Sequence, residues 1–438
     1  MKVSDPIRVV YFDESIGDFV DVDATHPLPV GGAPSSEPVV VVPGDTAAQD
    51  AFGRSRVSMQ GFRLDNTFTY DKMPLLFDEV VSGTGALTHN SNLRAVYLST
   101  GGTVNAAAAT LQASQYTPYT PGNSQQIVIT GNLNPDGVDF TNVVAEIGYG
   151  DAANAVGFRL DEDGASIFLR SSISGAAVDL VNVDQAFWNE NQLLDTDWTK
   201  SQIFMIDFQS LAVGRIRFYL DRNGVAVLLH EIHNDNLRIG PYWQLATLPP
   251  FWSVKNIGTA NAVARVLAIC VTVKSEGAPD LQDLPGFAFS ATRAGSLKTV
   301  STTLVPVLSL RLKATYNTFS NRGLVVPVGL QIVTDNSIHW KILKNPTTLT
   351  GASWSSVDAN SICEFDIAAT VVTGGRALIT GYSGTGNNRA AGSDHGIAGK
   401  GEIHLNAAGV SDILTLAAVR VSTSDADVGA SINFKEIR

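Results

Sequence analysis

The sequence predicts an all-β protein with an N-terminal extended arm, a central jelly-roll-like β-sandwich and a second, C-terminal β-sandwich or barrel domain. From Gly61 onward, short apolar runs rich in β-branched and aromatic residues alternate with turn signals built from Gly, Asn and Asp. Hardly any run repeats its apolar residues with the period of about 3.6 residues that an amphipathic helix needs. Before Gly61, prolines interrupt short β-forming runs, and no apolar stretch there could build a core.

The chain has 438 residues, which by length alone suits roughly three domains. We assign residues 1–60 to the arm, residues 61–285 to the central sandwich and residues 286–438 to the C-terminal β-domain. The second boundary lies in the run from Lys274 to Gly286, where Gly, Pro and acidic residues replace an apolar strand.

Composition and charge limit the partners of this protein. Charged residues make up 16% of the chain, below the roughly 25% of typical soluble domains, so much of the surface is uncharged or covered by other subunits. The 42 acidic and 30 basic side chains leave a net charge of −12, without the Lys and Arg clusters that phosphate contact needs. The apolar run Ala262–Val273 contains Arg265 and is too short to span a bilayer. The sequence therefore predicts no direct nucleic-acid binding and no membrane insertion.

Residues 1–60 have the features of a segment that docks on another surface. Val9, Tyr11 and Phe12 lie in a short β-forming run, and a hinge rich in Pro, Gly and Ser follows between Pro27 and Pro38. Residues 1–50 carry nine acidic and two basic side chains, which is more than half of the net charge. We expect the short strands to complete a sheet on a neighbouring subunit or on the body of the same chain.

Two hairpins are predicted in the central region. The turn Asp161–Gly164 lies between GFRL and SIFLR, and Asn223–Gly224 lies between RIRFYL and VAVLLHEI. In RIRFYL, Arg215, Arg217 and Tyr219 alternate with apolar residues. Asn-Gly supplies the positive φ angles of a two-residue turn. The run Ser201–Phe208 is predicted to be the third strand of the second meander, and residues 186–194 are the one helical candidate.

The C-terminal region is predicted to contain seven strands and a Gly-rich loop at residues 381–401. The strands are residues 303–313, 323–334, 338–343, 362–372, 377–381, 412–421 and 431–437. The two cysteines, Cys270 and Cys363, lie in separate strand-like runs, so we expect two unpaired thiols.

The strongest candidate binding residues are four aromatic side chains that lie near prolines. They are Tyr242, Trp243, Phe251 and Trp252. Exposed rings of this kind stack on sugars or anchor protein interfaces. In the alternative interpretation, which we favour, the rings close one end of the sandwich.

No pattern predicts a metal site, a cofactor or a catalytic residue. His230 and His233 fall on opposite faces of a predicted strand, whereas a zinc motif of this type needs both on one helix face. The acidic turn Asp161–Asp163 lacks the further ligand of a calcium loop. Glu364 and Asp366 share one strand face, which we interpret as a solvent-facing edge. No nucleophile motif of a hydrolase occurs.

Several sequence blocks, in order along the chain, resemble one known family. They are DATHPLPV (Asp23–Val30), AFGRSRVS (Ala51–Ser58), PLLFDEVVSGTG (Pro74–Gly85), KSQIFMIDFQSLAVGRIRF (Lys200–Phe218) and SINFKEIR (Ser431–Arg438). They resemble a family of uncharacterised virion structural proteins of tailed bacteriophages, in which "NPLPV"-like and "FGRLRVS"-like segments precede a long β-rich body. The resemblance covers nearly the whole chain and implies a component of the phage particle.

The resemblance implies that the arm docks on other capsid or tail proteins. The residues implied to dock are Val9, Tyr11, Phe12, Pro27, Leu28, Pro29, Val30, Phe52, Arg54 and Arg56. We therefore expect a non-enzymatic virion structural protein, made in the host cytoplasm, that self-associates through its β-domains, with a trimer as the favoured homo-oligomer. The alternative is a receptor- or glycan-binding appendage of a tail or head fibre that contacts a host glycan. An enzyme that degrades surface polysaccharide ranks third.

Overall fold

In a computed structural model, the protein is built from β-strands. The structure describes residues 49–51, 54, 56, 60–118, 120–209, 211–277, 284–384 and 401–438, together with the backbone of the strands at 7–13, 18–21 and 41–43. Within these residues the only helical element is the 3-10 turn Gln185–Phe187, and no helix is long and apolar enough to cross a membrane. The predicted all-β fold class is therefore confirmed.

Three short N-terminal strands pair with one another. They are β1 (Ile7–Asp13), β2 (Asp18–Asp21) and β3 (Val41–Pro43), in the antiparallel order β2-β1-β3. Strands close in sequence pair at a lower loop-closure cost than distant ones. The expected addition of these strands to another sheet stays a prediction. Val9, Tyr11 and Phe12 lie in β1, whereas Pro27, Leu28, Pro29 and Val30 lie outside the described residues.

Fifteen strands form the central sandwich. They are β4 (Gln60–Thr67), β5 (Phe77–Ser82), β6 (Ala86–Asn90), β7 (Ala95–Ser99), β8 (Ala108–Ala113), β9 (Ser124–Asn132), β10 (Val143–Gly150), β11 (Ala155–Asp161), β12 (Gly164–Ser171), β13 (Val178–Asp184), β14 (Gln202–Gln209), β15 (Ile216–Arg222), β16 (Val225–Ile232), β17 (Pro250–Asn256) and β18 (Arg265–Glu276). The seven-stranded sheet has the order β13-β12-β11-β10-β17-β8-β5. The eight-stranded sheet has the order β16-β15-β14-β9-β18-β7-β6, and β4 pairs with the second half of β18.

The two sheets enclose one shared hydrophobic core. Ile147 and Tyr149 of β10 belong to it, as do Phe204 and Phe208 of β14 in the opposite sheet. The ring centroids of Tyr149 and Phe208 lie 5.8 Å apart, so the sheets are in direct contact. Because successive side chains of a strand point to opposite faces, Glu146 lies on the outer face of β10, away from this core.

Both predicted hairpins are present. β11 and β12 pair antiparallel up to Asp161 and Gly164, and β15 and β16 pair up to the turn at Asn223–Gly224. Asn223 has a φ of 55° and Gly224 a φ of 82°, as the predicted two-residue turn requires. β14 pairs with β15 and is the third strand of this meander.

The helix predicted at residues 186–194 is wrong. Only Gln185–Phe187 is helical, as a single 3-10 turn. The Gln185 Nε2 donates to the carbonyl oxygen of Gln192 at 2.9 Å, and the Asn189 side chain bonds both the carbonyl and the amide of Glu231 in β16. Side chains that bond the backbone in this way compete with helix formation. The loop instead lies along the outer edge of β16.

Fourteen strands form the C-terminal region. They are β19 (Phe287–Thr292), β20 (Lys298–Val300), β21 (Val305–Leu312), β22 (Thr315–Tyr316), β23 (Phe319–Ser320), β24 (Leu324–Thr334), β25 (Ile338–Lys344), β26 (Thr348–Thr350), β27 (Trp354–Ser356), β28 (Cys363–Asp366), β29 (Val371–Thr373), β30 (Arg376–Ser383), β31 (Ile413–Arg420) and β32 (Ala426–Ile437). A six-stranded sheet has the order β27-β28-β21-β31-β25-β30. In a smaller sheet, β32 pairs with β19 and β20 along one edge and with β24 along the other.

The seven predicted C-terminal strands are present, β32 begins earlier than predicted, and six further strands, β19, β20, β22, β23, β26 and β27, were not predicted. The run predicted at residues 362–372 is divided into β28 and β29, because Asp366 accepts a hydrogen bond from the backbone of Ala368 at 3.0 Å and ends the first strand. Leu310, Trp340 and Phe434 lie in a second buried core between the two sheets. Residues 385–400 of the Gly-rich loop lie outside the described residues.

Polar contacts connect the C-terminal region to the seven-stranded sheet. The amide of Ala407 donates to Asp78 Oδ2 in β5 at 2.7 Å. The Arg322 guanidinium lies 4.1 Å from the centroid of the Tyr116 ring, and its Nη1 donates to the carbonyl oxygen of Asn406 at 2.8 Å. The Ala407 amide and the Arg322 side chain of the C-terminal region therefore contact residues of the central sandwich.

Candidate functional site

The segment that carries the second arm motif is bound to the eight-stranded sheet of its own chain. Arg56 forms ion pairs with Asp207 of β14 and with Glu276 of β18, and its side chain is 9% exposed. Arg217 Nη2 pairs with the same Asp207 oxygen at 2.8 Å, and Ser124 Oγ donates to the other oxygen at 2.7 Å. We call Arg56, Asp207, Arg217 and Glu276 the anchor network.

Backbone groups also attach this segment, which we call the anchor segment (residues 49–56). The amide of Ala51 donates to Ser124 Oγ at 3.2 Å. The carbonyl oxygen of Ala51 accepts a hydrogen bond from Arg215 Nε at 2.8 Å. The main chain and the side chains of the anchor segment therefore hold it in one position on the sheet.

The structure places Arg56 against its own chain, whereas the docking role of the more exposed Arg54 stays a prediction. Arg54 donates from its amide and its Nε to the two oxygens of Asp50, at 2.8 and 2.7 Å, and so closes a loop within the anchor segment. The Arg56 guanidinium is enclosed by carboxylates of its own chain. A buried, paired guanidinium is not available to another protein, so Arg56 connects the arm to the body. Phe52 lies outside the described residues.

The four candidate aromatic rings do not form an exposed platform. Tyr242, Trp243, Phe251 and Trp252 are each at most 4% exposed. Trp252 packs edge-on against Phe68 at 5.6 Å between centroids, and Trp243 packs in the same way against Phe208 at 5.3 Å. A ring must be accessible to stack on a sugar. Burial therefore fits the alternative interpretation, in which these rings stabilise the sandwich.

Among the described residues, no group of three His, Cys, Asp or Glu side chains is arranged to hold a metal ion. His230 Nδ1 accepts a hydrogen bond from the amide of Asn189 at 3.1 Å. Burial, together with the nearby His233, lowers the pKa of His230 to about 4, so this ring is neutral at physiological pH. Cys270 and Cys363 are free thiols, as expected.

The interpretation of Glu364 and Asp366 as a solvent-facing edge needs correction. Glu364 is partly exposed and pairs with Arg311 at 2.9 Å. Asp366 is buried and accepts a hydrogen bond from the amide of Ser353 at 2.8 Å. A buried carboxylate needs such donors to offset its lost hydration, so Asp366 organises the loops around β28.

A cavity of about 390 Å³ opens on the outer face of the seven-stranded sheet. Its floor consists of side chains from β8, β10, β12 and β17, namely Thr110, Gln112, Glu146, Arg170, Phe251, Ser253 and Lys255. Its walls are Val80, Tyr116 and Asp151–Ala153, together with Arg322 and Ala407 from the C-terminal region. We call it the outer-face cavity. Because both regions line it, the contact between them shapes the site.

Two facing glycines lie beside the floor of the cavity. Gly148 of β10 is the register partner of Gly157 of β11, with Phe251 next to Gly148 and Phe168 next to Gly157 in the same row. A Cβ on Gly148 would lie 2.2 Å from the carbonyl oxygen of Val156, so this position accepts no side chain. Phe168 and Phe251 belong to one buried cluster on this face.

Glu146 is paired with two arginines, and we call Glu146, Arg159, Arg170 and Asp179 the floor network. The Nη2 atoms of Arg159 and Arg170 lie 2.7 and 2.6 Å from Glu146 Oε1. Both guanidiniums also reach Asp179 of β13, at 2.7 and 3.1 Å. Burial acts to raise the pKa of Glu146, but Arg170, Lys255 and Arg159 outweigh it and lower the pKa to about 2. Glu146 is therefore a fixed anion.

Asp151 and Lys255 differ in how their charges are compensated. Asp151 Oδ2 accepts a hydrogen bond from the Tyr116 hydroxyl at 2.9 Å, and Oδ1 accepts one from the amide of Ala153 at 2.9 Å. Burial and the Asp151 charge raise the pKa of Tyr116, so it remains a donor. Within the part of the chain that the structure describes, the Lys255 ammonium has no hydrogen-bond or ion-pair partner.

Sequence reasoning missed the outer-face cavity because its lining comes from five strands and several loops, spread along the chain from Val80 to Ala407. One signal was present. Arg159 and Arg170 occupy outward positions in strands whose inward positions are apolar. The two arginines share the outer face on either side of Phe168, and Glu146 is the register partner of Arg159 in the neighbouring strand. Two arginines on one face indicate a carboxylate near them.

No family model and no curated protein matches the sequence. Among solved structures, the chain is similar to an endo-1,3-β-glucanase from Streptomyces sioyaensis, with a TM-score of 0.36 and 8% identity over 50% of this chain and 97% of that chain. It is also similar to the CBM2 module of the evolved Dit of Lactobacillus casei phage J-1 (TM-score 0.34, 8% identity, 51% and 98%) and to lectin I-B4 of Griffonia simplicifolia (0.33, 11%, 49% and 99%). At these identities the likeness concerns the β-fold alone.

Proposed function

We propose that this chain is a non-enzymatic structural protein of a bacteriophage virion, positioned on capsid or tail proteins by the residues before Gln49. The proposal combines the arm motifs, which resemble those of tailed-phage particle proteins, with one structural observation, the anchor network. It includes self-association as a homo-oligomer, with a trimer favoured.

The anchor network supports the docking role because it provides a fixed point from which the arm begins. Arg56 is held by carboxylates that follow it by 151 and 220 residues in the sequence. Removing one partner of a buried ion pair typically costs about 3–5 kcal/mol, so the attachment is firm. An arm that starts at a fixed point sets the orientation of the whole body relative to its partner, whereas a flexible linker would not.

The carboxylates of the outer-face cavity support a non-enzymatic role. Two of them, Glu146 and Asp151, line the cavity. Glycoside cleavage by a carboxylate pair needs one carboxyl group with a raised pKa as the general acid. The arginines instead keep the pKa of Glu146 at about 2. Both oxygens of Asp151 accept hydrogen bonds, one from the Tyr116 hydroxyl and one from a backbone amide of the same turn.

Exposed sheet edges support self-association. β13 and β30 are the last strands of their sheets in the described structure, and Val178, Leu180 and Tyr382 on these strands are exposed. Edge strands with exposed apolar side chains are sites at which copies of a chain pair. Sedimentation velocity on the full chain measures the oligomeric state, and a monomer at every concentration would remove self-association from the proposal.

Two truncations test the docking role. A chain that begins at Gln49 keeps the anchor network, whereas a chain that begins at Gln60 loses Arg56. We expect the first to keep the melting temperature of the full chain and to be missing from particles, and the second to melt at a lower temperature. The amount of each chain in particles purified from cells that make it in place of the full chain is the measurement. Normal incorporation of the chain beginning at Gln49 would overturn the docking role.

The alternative is an appendage that binds a host receptor or glycan, and the outer-face cavity is the observation that favours it. In that case, a substitution in the cavity lowers adsorption to host cells and leaves particle yield unchanged. If adsorption per particle is unchanged and total adsorption falls only because fewer particles form, the receptor-binding alternative is wrong.

A further inference from the structure

We propose that the outer-face cavity binds an acidic sugar, a ring with hydroxyl groups and one carboxylate, with Lys255 and Arg322 facing the carboxylate. This inference goes beyond the structural role proposed above. Its failure would leave the docking role intact, because the lining of the cavity comes from residues 80–407 and the docking role depends on the residues before Gln49.

Lys255 is the group in the cavity that requires a partner. Its side chain is half-buried on the floor, and among the described residues no carboxylate or other acceptor pairs with it. The neighbouring Arg170, by contrast, is paired with both Glu146 and Asp179. A partly buried ammonium loses hydration that an unpaired site does not replace. An anionic ligand supplies the missing partner.

The charge of the lining also favours an anion. Three cationic side chains and two anionic side chains line the cavity, although the whole chain carries a net charge of −12. Glu146 and Asp179 balance the two arginines of the floor network. The charge of Asp151 offsets one of the two remaining cations, Lys255 and Arg322, so the lining keeps an excess of one positive charge. Lys255 and Arg322 therefore set the field inside the cavity, and a concave positive site concentrates anions.

The neutral part of the lining matches sugar hydroxyl groups. Thr110 lies opposite Ser253 and Gln112 opposite Phe251 in the pair β8–β17, so a hydroxyl pair and an amide project beside Lys255. Hydroxyl and amide groups both donate and accept hydrogen bonds, as sugar hydroxyls do. A cavity of about 390 Å³ lies within the range of roughly 300–1,000 Å³ for small-molecule sites. A small inorganic anion would leave these neutral groups unused.

Binding to the full chain by saturation-transfer NMR and titration calorimetry tests the inference. The probes are sodium glucuronate, sodium galacturonate and short oligomers of galacturonate, with methyl glucoside as the neutral sugar and inorganic phosphate as the anion without a sugar. We expect an acidic sugar to bind at least about tenfold more tightly than either control, which corresponds to one charged hydrogen bond. Failure of every acidic probe to bind, or equally tight binding of phosphate, would overturn the inference.

Variants of Lys255 locate the binding site. Lys255→Met should weaken binding of the acidic sugar by about tenfold or more. The melting temperature should fall only slightly, because Lys255 makes no hydrogen bond or ion pair in the described chain, although its charge helps to keep Glu146 ionised. Lys255→Arg should restore binding. Lys200→Met is the matched control, since Lys200 is exposed, lies near Asp197 and does not line the cavity. Equal affinity of Lys255→Met and the unaltered chain would also overturn the inference.

Discussion

The anchor network and the floor network consist of the same groups, two arginines and two carboxylates, but they connect different parts of the chain. Arg56 and Glu276 of the anchor network are 220 residues apart in sequence, whereas Glu146 and Arg170 of the floor network are 24 apart. The floor network forms as four consecutive strands, β10 to β13, pair. The anchor network forms only when the remote anchor segment contacts the assembled sheet. The ion pairs of the anchor network therefore hold a segment in place, whereas those of the floor network form a polar surface on one sheet.

The two networks also differ in their access to water. Asp207 and Arg217 of the anchor network are fully buried. Asp179 of the floor network lies on the edge strand β13 and is 27% exposed. Water screens the charges around Asp179 more than those around Asp207, so loss of a charge should cost more stability in the anchor network.

Arg56→Met should have the largest effect. The substitution removes the guanidinium that contacts both of the buried carboxylates Asp207 and Glu276, and we expect the free energy of unfolding to fall by about 3–5 kcal/mol. Denaturant unfolding of the full chain measures it. Arg54→Met is the matched control from the same motif. The Arg54 side chain is 56% exposed and pairs within its own loop, so we expect a loss of at most about 1 kcal/mol. Equal losses for the two variants would contradict the distinction between them.

Glu146→Gln should have a smaller effect, because Asp179 still compensates Arg159 and Arg170. We expect a loss of about 2–3 kcal/mol, the value of hydrogen bonds to a charged group. Glu190→Gln, at an exposed position, is the control and should unfold like the unaltered chain. A larger loss for Glu146→Gln than for Arg56→Met would contradict the expectation that the anchor network contributes more to stability than the floor network.

Acid should remove the contribution of Glu146 without any substitution. The folded-state pKa of Glu146 is about 2, below its ordinary 4.5, so the unfolded chain binds this proton first as the pH falls. The stabilisation is complete above pH 4.5 and is lost between pH 4.5 and about 2. The difference in melting temperature between Glu146→Gln and the unaltered chain should therefore become smaller as the pH falls through this interval. A constant difference would contradict the low pKa of Glu146.

Gly224→Val should have the smallest effect, since it strains one turn and touches neither network. Gly224 has a φ of 82°, which a β-branched residue resists, and we expect a loss of about 1–2 kcal/mol. This turn joins β15, which carries Arg217, to β16. Gly240→Val is the control, because Gly240 has open space around its Cβ position and no positive φ. An unchanged melting temperature for Gly224→Val would show that the turn tolerates other conformations.

The parts of the fold that the sequence predicts are those set by neighbouring residues. The turn at Asn223–Gly224 follows from the φ angles that these two residues accept, and the strands on either side follow from alternation. The helix prediction at residues 186–194 failed because Asn189 finds its partner in Glu231, which local propensity does not include.

The candidate sites were harder to predict because their partners are remote. The motif around Arg56 is visible in the sequence, but nothing near it indicates Asp207 or Glu276. The prolines near Trp243 and Trp252 do not reveal whether these rings are buried. Of the cavity, only the outward arginines in adjacent strands left a trace in the sequence. The sequence does not show that Arg322 lies near these arginines. Their proximity depends on how the C-terminal region packs on the central sandwich.

The position of the anchor segment also determines how the protein responds to mechanical tension. Asp207 is in β14 and Glu276 is in β18, the two strands that flank β9 in the eight-stranded sheet. A pull on the chain before Gln49 meets the Arg56 ion pairs before it reaches β4, the first strand of the sandwich. The load then enters the middle of the sheet and is shared across β14, β9 and β18. It does not peel β4 from its single partner, so the sandwich resists a force that would otherwise unravel it from its N-terminal edge.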